Sequence, residues 1–249
     1  KPVLAFGDAR YSARTSKGYP LQSQTDIERV ELKVKEAIAT DQHLDAAFAT
    51  FSKTAANYLE GTKKEVEMIK TIVPDADIFL NDKMTENEFK RLNASGALHH
   101  YRIIHLASHA GVHPYVFDLS GIMFSVFPQP VDGEDGELVV SEVAKLKMAP
   151  ELVMLSACQT GLGKLVPGDG VAGLNHAFLM AGASSTITSL WNVNDYATSV
   201  LVSRLYQKVF GEKKTFVKAL NEVKREFITS GDPMLQFSLS WAPFIYTGR

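Results

Sequence analysis

The chain contains a single cysteine, Cys158, among its 249 residues. A lone cysteine cannot form an internal disulfide bond, so nothing in the cysteine usage indicates an oxidising compartment. The sequence also lacks an apolar run of about 18 residues, the length that a transmembrane helix needs, and it lacks the basic start and apolar middle of a signal peptide. We therefore expect a soluble, cytoplasmic protein that makes no contact with a membrane.

An excess of either charge is also missing. The chain has 26 Lys and Arg residues against 28 Asp and Glu residues, and its formal net charge is -2. Because proteins that bind nucleic acids by electrostatics concentrate positive charge on one face, this even scatter predicts no direct contact with nucleic acid. The chain begins at Lys1 without an initiator methionine. That start predicts a single domain, residues 1–249, excised from a longer protein.

Short apolar runs alternate with segments of helical periodicity along most of the chain. Strands are predicted at residues 3–6, 76–80, 101–107, 152–156, 184–191 and 241–246, and helices at 46–72 (divided near Gly61), 85–92, 141–146 (capped by Ser141), 171–181, 195–210 and 215–229. Residues 120–127 and 137–140 alternate in polarity and predict a peripheral β-hairpin. This order predicts an α/β fold with a mostly parallel central sheet and helices on both faces.

Two of the apolar runs end beside residues that can carry out nucleophilic chemistry. His109 follows the run at 101–107, and Cys158 follows the run at 152–156. The carboxyl ends of parallel strands collect ligands and catalytic groups at one edge of a sheet. A thiol with the ordinary pKa of about 8.5 is mostly protonated at neutral pH, so an adjacent imidazole is needed to accept its proton. The alternative is a buried free cysteine and a histidine that only hydrogen-bonds a loop.

The spacing and the flanking residues resemble those of a known family. His109 and Cys158 are 49 positions apart, close to the about 50 positions between the histidine and the Gln-Ala-Cys motif of caspases. The sequence resembles a CHAT domain, a bacterial caspase-like peptidase related to separase, over nearly its whole length. The motifs are His-Leu-Ala-Ser-His-Ala at 105–110, Leu-Ser-Ala-Cys-Gln-Thr-Gly at 155–161, Gly-Asp-Gly-Val-Ala-Gly-Leu at 168–174, Ala-Phe-Leu-Met-Ala-Gly-Ala at 177–183, Ser-Leu-Trp-Asn-Val-Asn-Asp at 189–195 and Trp-Ala-Pro-Phe at 241–244.

The resemblance implies a caspase-like α/β/α sandwich and a cysteine endopeptidase that acts on a protein substrate. It implies Cys158 as the nucleophile, His109 as the general base and acid, and the backbone amides of Ala110 and Cys158 as the oxyanion hole. Related peptidases commonly have glycine directly after the histidine, whereas Ala110 stands there in this chain, and its methyl group removes no N–H donor. Because the family is often joined to tetratricopeptide repeats, a regulatory repeat domain in the parent chain or in a partner is also implied.

The resemblance extends to substrate selection. In separase-like relatives, an acidic residue after the tryptophan-containing strand helps to select a basic P1 residue. This implies Asp195 as a residue of the S1 pocket, with Asp118 as a weaker candidate, and predicts cleavage after Arg or Lys. The alternative for Asp195 is an N-cap at the start of its helix.

Three other functions compete with the peptidase. A caspase-like fold can lose its chemistry and persist as an interaction module. Residues 168–173 match Gly-x-Gly-x-x-Gly and precede Asp195 by about twenty positions, as in a dinucleotide site, but they do not directly follow a strand. His105, His109 and His113 recur every four residues, which suits metal ligands only on a helix, and their segment is strand-like. We expect neither a metal nor another cofactor.

Overall fold

The computed structural model describes residues 1–11, 59–111, 120–126, 134–156, 172–190, 193 and 195–248. Nine strands lie in these ranges: β1 Val3–Gly7, β2 Asp77–Leu80, β3 Ile103–Leu106, β4 Ala110–Gly111, β5 Gly121–Met123, β6 Glu137–Val139, β7 Leu152–Leu155, β8 Ser185–Ser189 and β9 Phe244–Gly248. The same ranges contain eight α-helices: α1 Glu60–Ile72, α2 Glu86–Ala94, α3 Val140–Val143, α4 Ala172–Met180, α5 Asp195–Tyr206, α6 Phe216–Ile228, α7 Pro233–Gln236 and α8 Ser238–Trp241.

Six strands form the central sheet in the order β2-β1-β3-β7-β8-β9. The first five are parallel, and β9 runs antiparallel to β8. Strands β1, β3, β7 and β8 are buried along their whole length. Central parallel strands are covered on both faces and therefore read as continuous apolar runs. This explains why β1, β3 and β7 were found from the sequence, whereas β8 is buried but consists mostly of serine and threonine. The predicted α/β class is confirmed.

Successive residues of β3 point into two separate cores. Ile104 and Leu106 pack in one core with α2, α3 and α4, whereas Ile103 packs in the other with α1, α5 and α6. Neighbouring side chains of a strand point to opposite faces, so this alternation requires a helical layer on each side. The helices on both faces that the sequence predicts are thus present.

A second, antiparallel sheet has the order β4-β5-β6. The pairing of β5 with β6 confirms the predicted hairpin. Strand β4 pairs with β5 and was not predicted, because two residues are too few to display an alternating pattern. Since only three residues separate the end of β3 from the start of β4, the small sheet continues directly from the carboxyl edge of the large one.

Two helices and the C-terminal strand differ from the predictions. Ser141 lies inside α3 and is not its cap; the N–H of Val139, just before the helix, donates instead to the Glu142 carboxylate at 3.1 Å. The helix predicted through residue 210 ends at Tyr206 and continues as a π-helical turn, Gln207–Gly211. The C-terminal strand was predicted to start at residue 241 but starts at Phe244, because Trp241 is the last residue of α8. Residues 46–58 of the first predicted helix lie outside the described ranges.

Gly182 ends α4 with a conformation that a side chain would not permit. Its φ is +112°, and a Cβ at this position would lie 2.0 Å from the main-chain oxygen of Met148. Its N–H donates to the oxygen of Leu179 at 3.1 Å, and the N–H of Ala183 donates to that of Phe178 at 3.0 Å. Glycine is the usual residue at such helix ends, and this close turn leads directly into β8.

Three polar side chains lie buried between the central sheet and helices α1 and α5. His105 of β3 is 0% exposed; its Nδ1 lies 3.2 Å from the Tyr206 hydroxyl, and its Nε2 lies 2.9 Å from Oε1 of Glu65. The contact with Glu65 is electrostatic, since its direction does not suit a hydrogen bond. Burial, and then the nearby Glu65 carboxylate, raise the pKa of Tyr206 well above its ordinary value. His105 therefore packs within the strand, on the face that α1 and α5 cover.

Candidate active site

His109 lies just beyond the carboxyl end of β3, where the chain passes from the large sheet to the small one. Beyond β3 the Ala107 N–H still donates to the oxygen of Phe6 in β1, at 2.9 Å. On the other side of β3, the N–H of Ser156 donates to the oxygen of Leu106 at 3.1 Å. His109 itself is only 3% exposed. Hydrogen bonds to β1 and from the residue after β7 therefore fix the main chain just before His109.

The main chain of His109 is bound on both sides by neighbouring residues. Its carbonyl oxygen accepts a hydrogen bond from the N–H of Met123 at 2.9 Å, and its own N–H donates to the hydroxyl of Tyr11 at 3.3 Å. The Tyr11 ring lies 5.0 Å from the imidazole ring, tilted by 49°. Tyr11 follows β1 and reaches the same sheet edge. No sequence motif indicated Tyr11, and no pattern linked it to a histidine 98 positions away.

The amide of Ala110 points away from its neighbouring strand. Ala110 is opposite Ile122 in the β4–β5 pair, and the adjacent His109 is bonded to Met123. Because bonded and non-bonded pairs alternate along an antiparallel ladder, Ala110 belongs to a non-bonded pair. Among the described residues, strand β4 is also the edge of its sheet. The Ala110 N–H is therefore directed outward, as a donor for an oxyanion must be.

Strand β7 runs beside β3 and leads toward the other residue of the predicted pair. Its register with β3 pairs Ile103 with Leu152 and Leu106 with Leu155. Ser156, directly after β7, is buried, and its hydroxyl makes no hydrogen bond to any residue that the structure describes. Cys158 lies outside the described residues. Position 158 differs from 109 by the same offset of 49 that relates the paired residues of β7 and β3.

The residues predicted to line the S1 pocket are described only in part. Asp118 lies outside the described residues. The helix α5 begins at Asp195, whose side chain is likewise outside them. On helix α4, which packs on the opposite face of the sheet from α5, Asn175 is buried and donates from Nδ2 to the Thr188 hydroxyl of β8 at 3.2 Å. This bond fixes the start of α4 against the carboxyl half of β8, near the same sheet edge.

A cluster of three carboxylates surrounds the Lys90 ammonium. Oxygens of Glu86, Glu134 and Glu142 are within 4.8 Å of one another, close enough to hold a cation. The Lys90 ammonium already lies 2.6 to 2.7 Å from all three. Glu86 also accepts the N–H of Gly136 at 2.8 Å. The Lys90 ammonium supplies the positive charge, and the cluster joins α2 to β6 and α3.

Glu86 makes the stability of this cluster sensitive to pH. Burial raises the pKa of Glu86 to about 7. The folded state therefore holds a proton on this cluster between about pH 4.5 and 7 that the unfolded chain has released, and stability falls as pH rises through this window. The Gln side chain does not titrate. We therefore expect the difference in unfolding free energy between Glu86→Gln and the unchanged protein to shift in favour of the variant by about 2 kcal/mol from pH 5 to pH 8. Urea unfolding at both pH values measures it.

Glu88→Gln is the matched control on the same helix. A hydrogen-bonded pair with Arg91 lowers the pKa of Glu88, so its contribution is present above the ordinary carboxyl pKa and is lost as pH falls. The Glu88→Gln difference is therefore expected to stay constant from pH 5 to pH 8. An equally constant difference for Glu86→Gln would contradict the assignment of the shared proton to this cluster.

None of the helices in the described ranges has the length and apolar character that crossing a membrane requires. A family model described as the CHAT domain matches residues 4–249. Tetratricopeptide repeat protein 28 of Homo sapiens is 30% identical over 111 residues, and that of Mus musculus is 28% identical over 111 residues. Each match covers 45% of this chain and 4% of the relative. The chain thus corresponds to a small part of these curated relatives.

Proposed function

Because the chain belongs to the CHAT domain family, we propose that residues 1–249 form one peptidase domain that hydrolyses peptide bonds of a protein substrate. Cys158 is the nucleophile, and His109 is its general base and acid. The amides of Ala110 and Cys158 form the oxyanion hole. The chemistry needs no group beyond these side chains and amides.

The register of β3 and β7 carries this proposal. Paired residues of the two strands differ by 49 positions, and so do His109 and Cys158. Neighbouring strands lie about 4.8 Å apart. Ser156, two positions before Cys158 in the sequence, donates its N–H to the oxygen of Leu106. Each residue follows its strand by the same number of positions, and this equal spacing supports the proposal that the thiol and the imidazole meet at one sheet edge.

The proposed groups account for each step of acyl transfer. His109 accepts the thiol proton of Cys158, and the thiolate sulfur attacks the scissile carbonyl carbon. The outward amide of Ala110 stabilises the oxygen as it becomes negative. The protonated imidazole then gives its proton to the leaving amine as the C–N bond breaks, which leaves a thioester. A water molecule, deprotonated by His109, hydrolyses the thioester and restores the thiol.

Substrate selection rests on Asp195 and, more weakly, on Asp118. A carboxylate in the S1 pocket attracts a guanidinium or ammonium group, so we propose cleavage after Arg or Lys. The curated relatives are tetratricopeptide repeat proteins. This supports a regulatory repeat region joined to the peptidase domain, or supplied by a partner. A catalytically silent interaction module is the competing function, since members of a peptidase family can lose activity.

The reactivity of the single cysteine tests the proposal without a known substrate. We expect iodoacetamide to alkylate Cys158 at pH 6.5 well above the rate of a free thiol, whose pKa is about 8.5, because His109 stabilises the thiolate. His109→Ala should return the midpoint of the pH profile to about 8.5. The measurement uses the intact polypeptide, and peptide mass spectrometry locates the label at Cys158.

A peptide-library screen with the Cys158→Ala variant as control then tests the P1 preference. Cleavage after Arg or Lys that disappears in the variant supports the S1 assignment, and cleavage only after acidic residues contradicts it. A Cys158 that reacts as a free thiol whether or not His109 is present would contradict the peptidase and favour the interaction module.

A further inference from the structure

We infer that Tyr11 is a positioning residue for His109: its hydroxyl holds the histidine main chain through a directed chain of hydrogen bonds. This inference rests on the proposed function, because it concerns the histidine of the same site. Tyr11 is 8% exposed, and its hydroxyl reaches two partners, the N–H of His109 and Oγ of Ser108. It belongs to the loop after β1, so it reaches the site from a third strand.

The groups at the two ends of this chain of hydrogen bonds, a backbone N–H and a carbonyl, fix the direction of every bond in it. A backbone N–H can only donate, so the His109 N–H donates to the Tyr11 oxygen. A carbonyl can only accept, so the Ser108 hydroxyl donates its one proton to the oxygen of Met123. The remaining bond, 2.7 Å between the two hydroxyls, must then be donated by Tyr11. The order is His109 N–H, Tyr11 O–H, Ser108 O–H and Met123 C=O.

Met123 closes this chain into a ring. Its N–H donates back to the carbonyl oxygen of His109 at 2.9 Å, while its own carbonyl accepts from Ser108. Both peptide planes that flank the His109 Cα are thereby held. The direction of the imidazole and that of the following Ala110 N–H depend on these two planes. One ring of bonds therefore orients the proposed base and the proposed oxyanion donor together.

Burial keeps the ring in a single hydrogen-bonding state. Burial raises the pKa of Tyr11 to about 12, so its hydroxyl keeps the proton that it donates to Ser108. Without that hydroxyl, the N–H of His109 and Oγ of Ser108 would both lose a partner in a buried region. An unsatisfied buried polar group costs free energy, so we expect the main chain near His109 to shift toward other hydrogen-bond partners. Because small displacements of a reacting group can reduce turnover about a hundredfold, the effect should reach catalysis.

Tyr11→Phe tests the inference, with Tyr206→Phe as the matched control. Each variant removes one buried phenolic hydroxyl, but Tyr206 bonds to His105 on the face covered by α1 and α5. We expect Tyr11→Phe to lower kcat about 10- to 100-fold with KM within about twofold. It should also slow alkylation of Cys158 at pH 6.5 toward the rate of His109→Ala. Tyr206→Phe should lower stability and leave both rates within about twofold.

Ser108→Ala provides a second variant if Tyr11→Phe folds poorly. It keeps the bond between Tyr11 and His109 but removes the next bond of the ring, so an intermediate fall in kcat is expected. Equal effects of Tyr11→Phe and Tyr206→Phe on stability and kcat would overturn the positioning role. If His109→Ala leaves the reactivity of Cys158 unchanged, the proposed function itself fails. If only Tyr11→Phe leaves it unchanged, the role of Tyr11 alone fails.

Discussion

Replacing His109 by Ala is expected to reduce peptide-bond hydrolysis at least about a thousandfold. The imidazole carries protons in both halves of the proposed reaction, so its loss removes the base that generates the thiolate and the acid that protonates the leaving amine. The fall should appear in kcat more than in KM, because substrate binding depends on other groups. Steady-state kinetics with a peptide identified in the library screen measure both parameters.

His99→Ala is the matched control for this variant. His99 is exposed and lies before β3, so its loss should leave kcat within about twofold. Far-ultraviolet circular dichroism and urea unfolding should show that both variants stay folded. Hydrolysis that survives in a folded His109→Ala protein but disappears in Cys158→Ala would contradict the role of His109 alone. Hydrolysis that survives in both would contradict the proposed pair.

Glu65→Ala is expected to lower the free energy of unfolding by about 3 kcal/mol. Glu65 lies 2.9 Å from Nε2 of the fully buried His105, and the side chains are 4% and 0% exposed. Removing one member of a buried polar pair leaves the other without compensation in a region that water does not reach. It also creates a cavity between α1 and the sheet, which adds to the loss. Urea unfolding at pH 7 measures the change.

Glu67→Ala, on the same helix, is the control. Glu67 is exposed, and its side chain is expected to contribute less than about 0.5 kcal/mol. The double variant Glu65→Ala/His105→Ala should lose less than the sum of the single variants, because the unpaired partner is gone. Additive losses would contradict an interaction between the two side chains, and a Glu65→Ala loss equal to that of Glu67→Ala would contradict its buried role.

The sequence is most informative where burial is complete. Strands β1, β3 and β7 are largely apolar runs because helices cover both of their faces, and runs of this kind can be located without a structure. The start of a helix can also be predicted where a single side chain is its N-cap. Thr85 caps α2 and accepts the N–H of Glu88 at 3.2 Å. His109 follows from these elements, since a residue just past a located strand must lie at its carboxyl edge.

Features that depend on contacts between distant segments could not be predicted in this way. Tyr11 acts through its position in space, and one aromatic residue after a strand carries no signal of what it will touch. The pairing of Glu65 with His105 had a partial signal, because Glu65 shares a helix face with Ile69 and Ile72. A carboxylate on an apolar stripe requires a polar partner on the opposing sheet, and His105 is the polar residue of β3.

The position of β1 within the sheet bears on how the polypeptide acquires its structure during synthesis. Strand β1 is made before the other strands of its sheet, but it lies between β2 and β3, and Val3 pairs with Ile103, about 100 residues later. At a translation rate of about 5 to 20 residues per second, the start of the chain waits about 5 to 20 seconds for that partner. Until then the ring around His109 cannot close, because Tyr11 and Met123 are far apart in the nascent chain. The proposed catalytic histidine is therefore oriented only after the first half of the domain has left the ribosome.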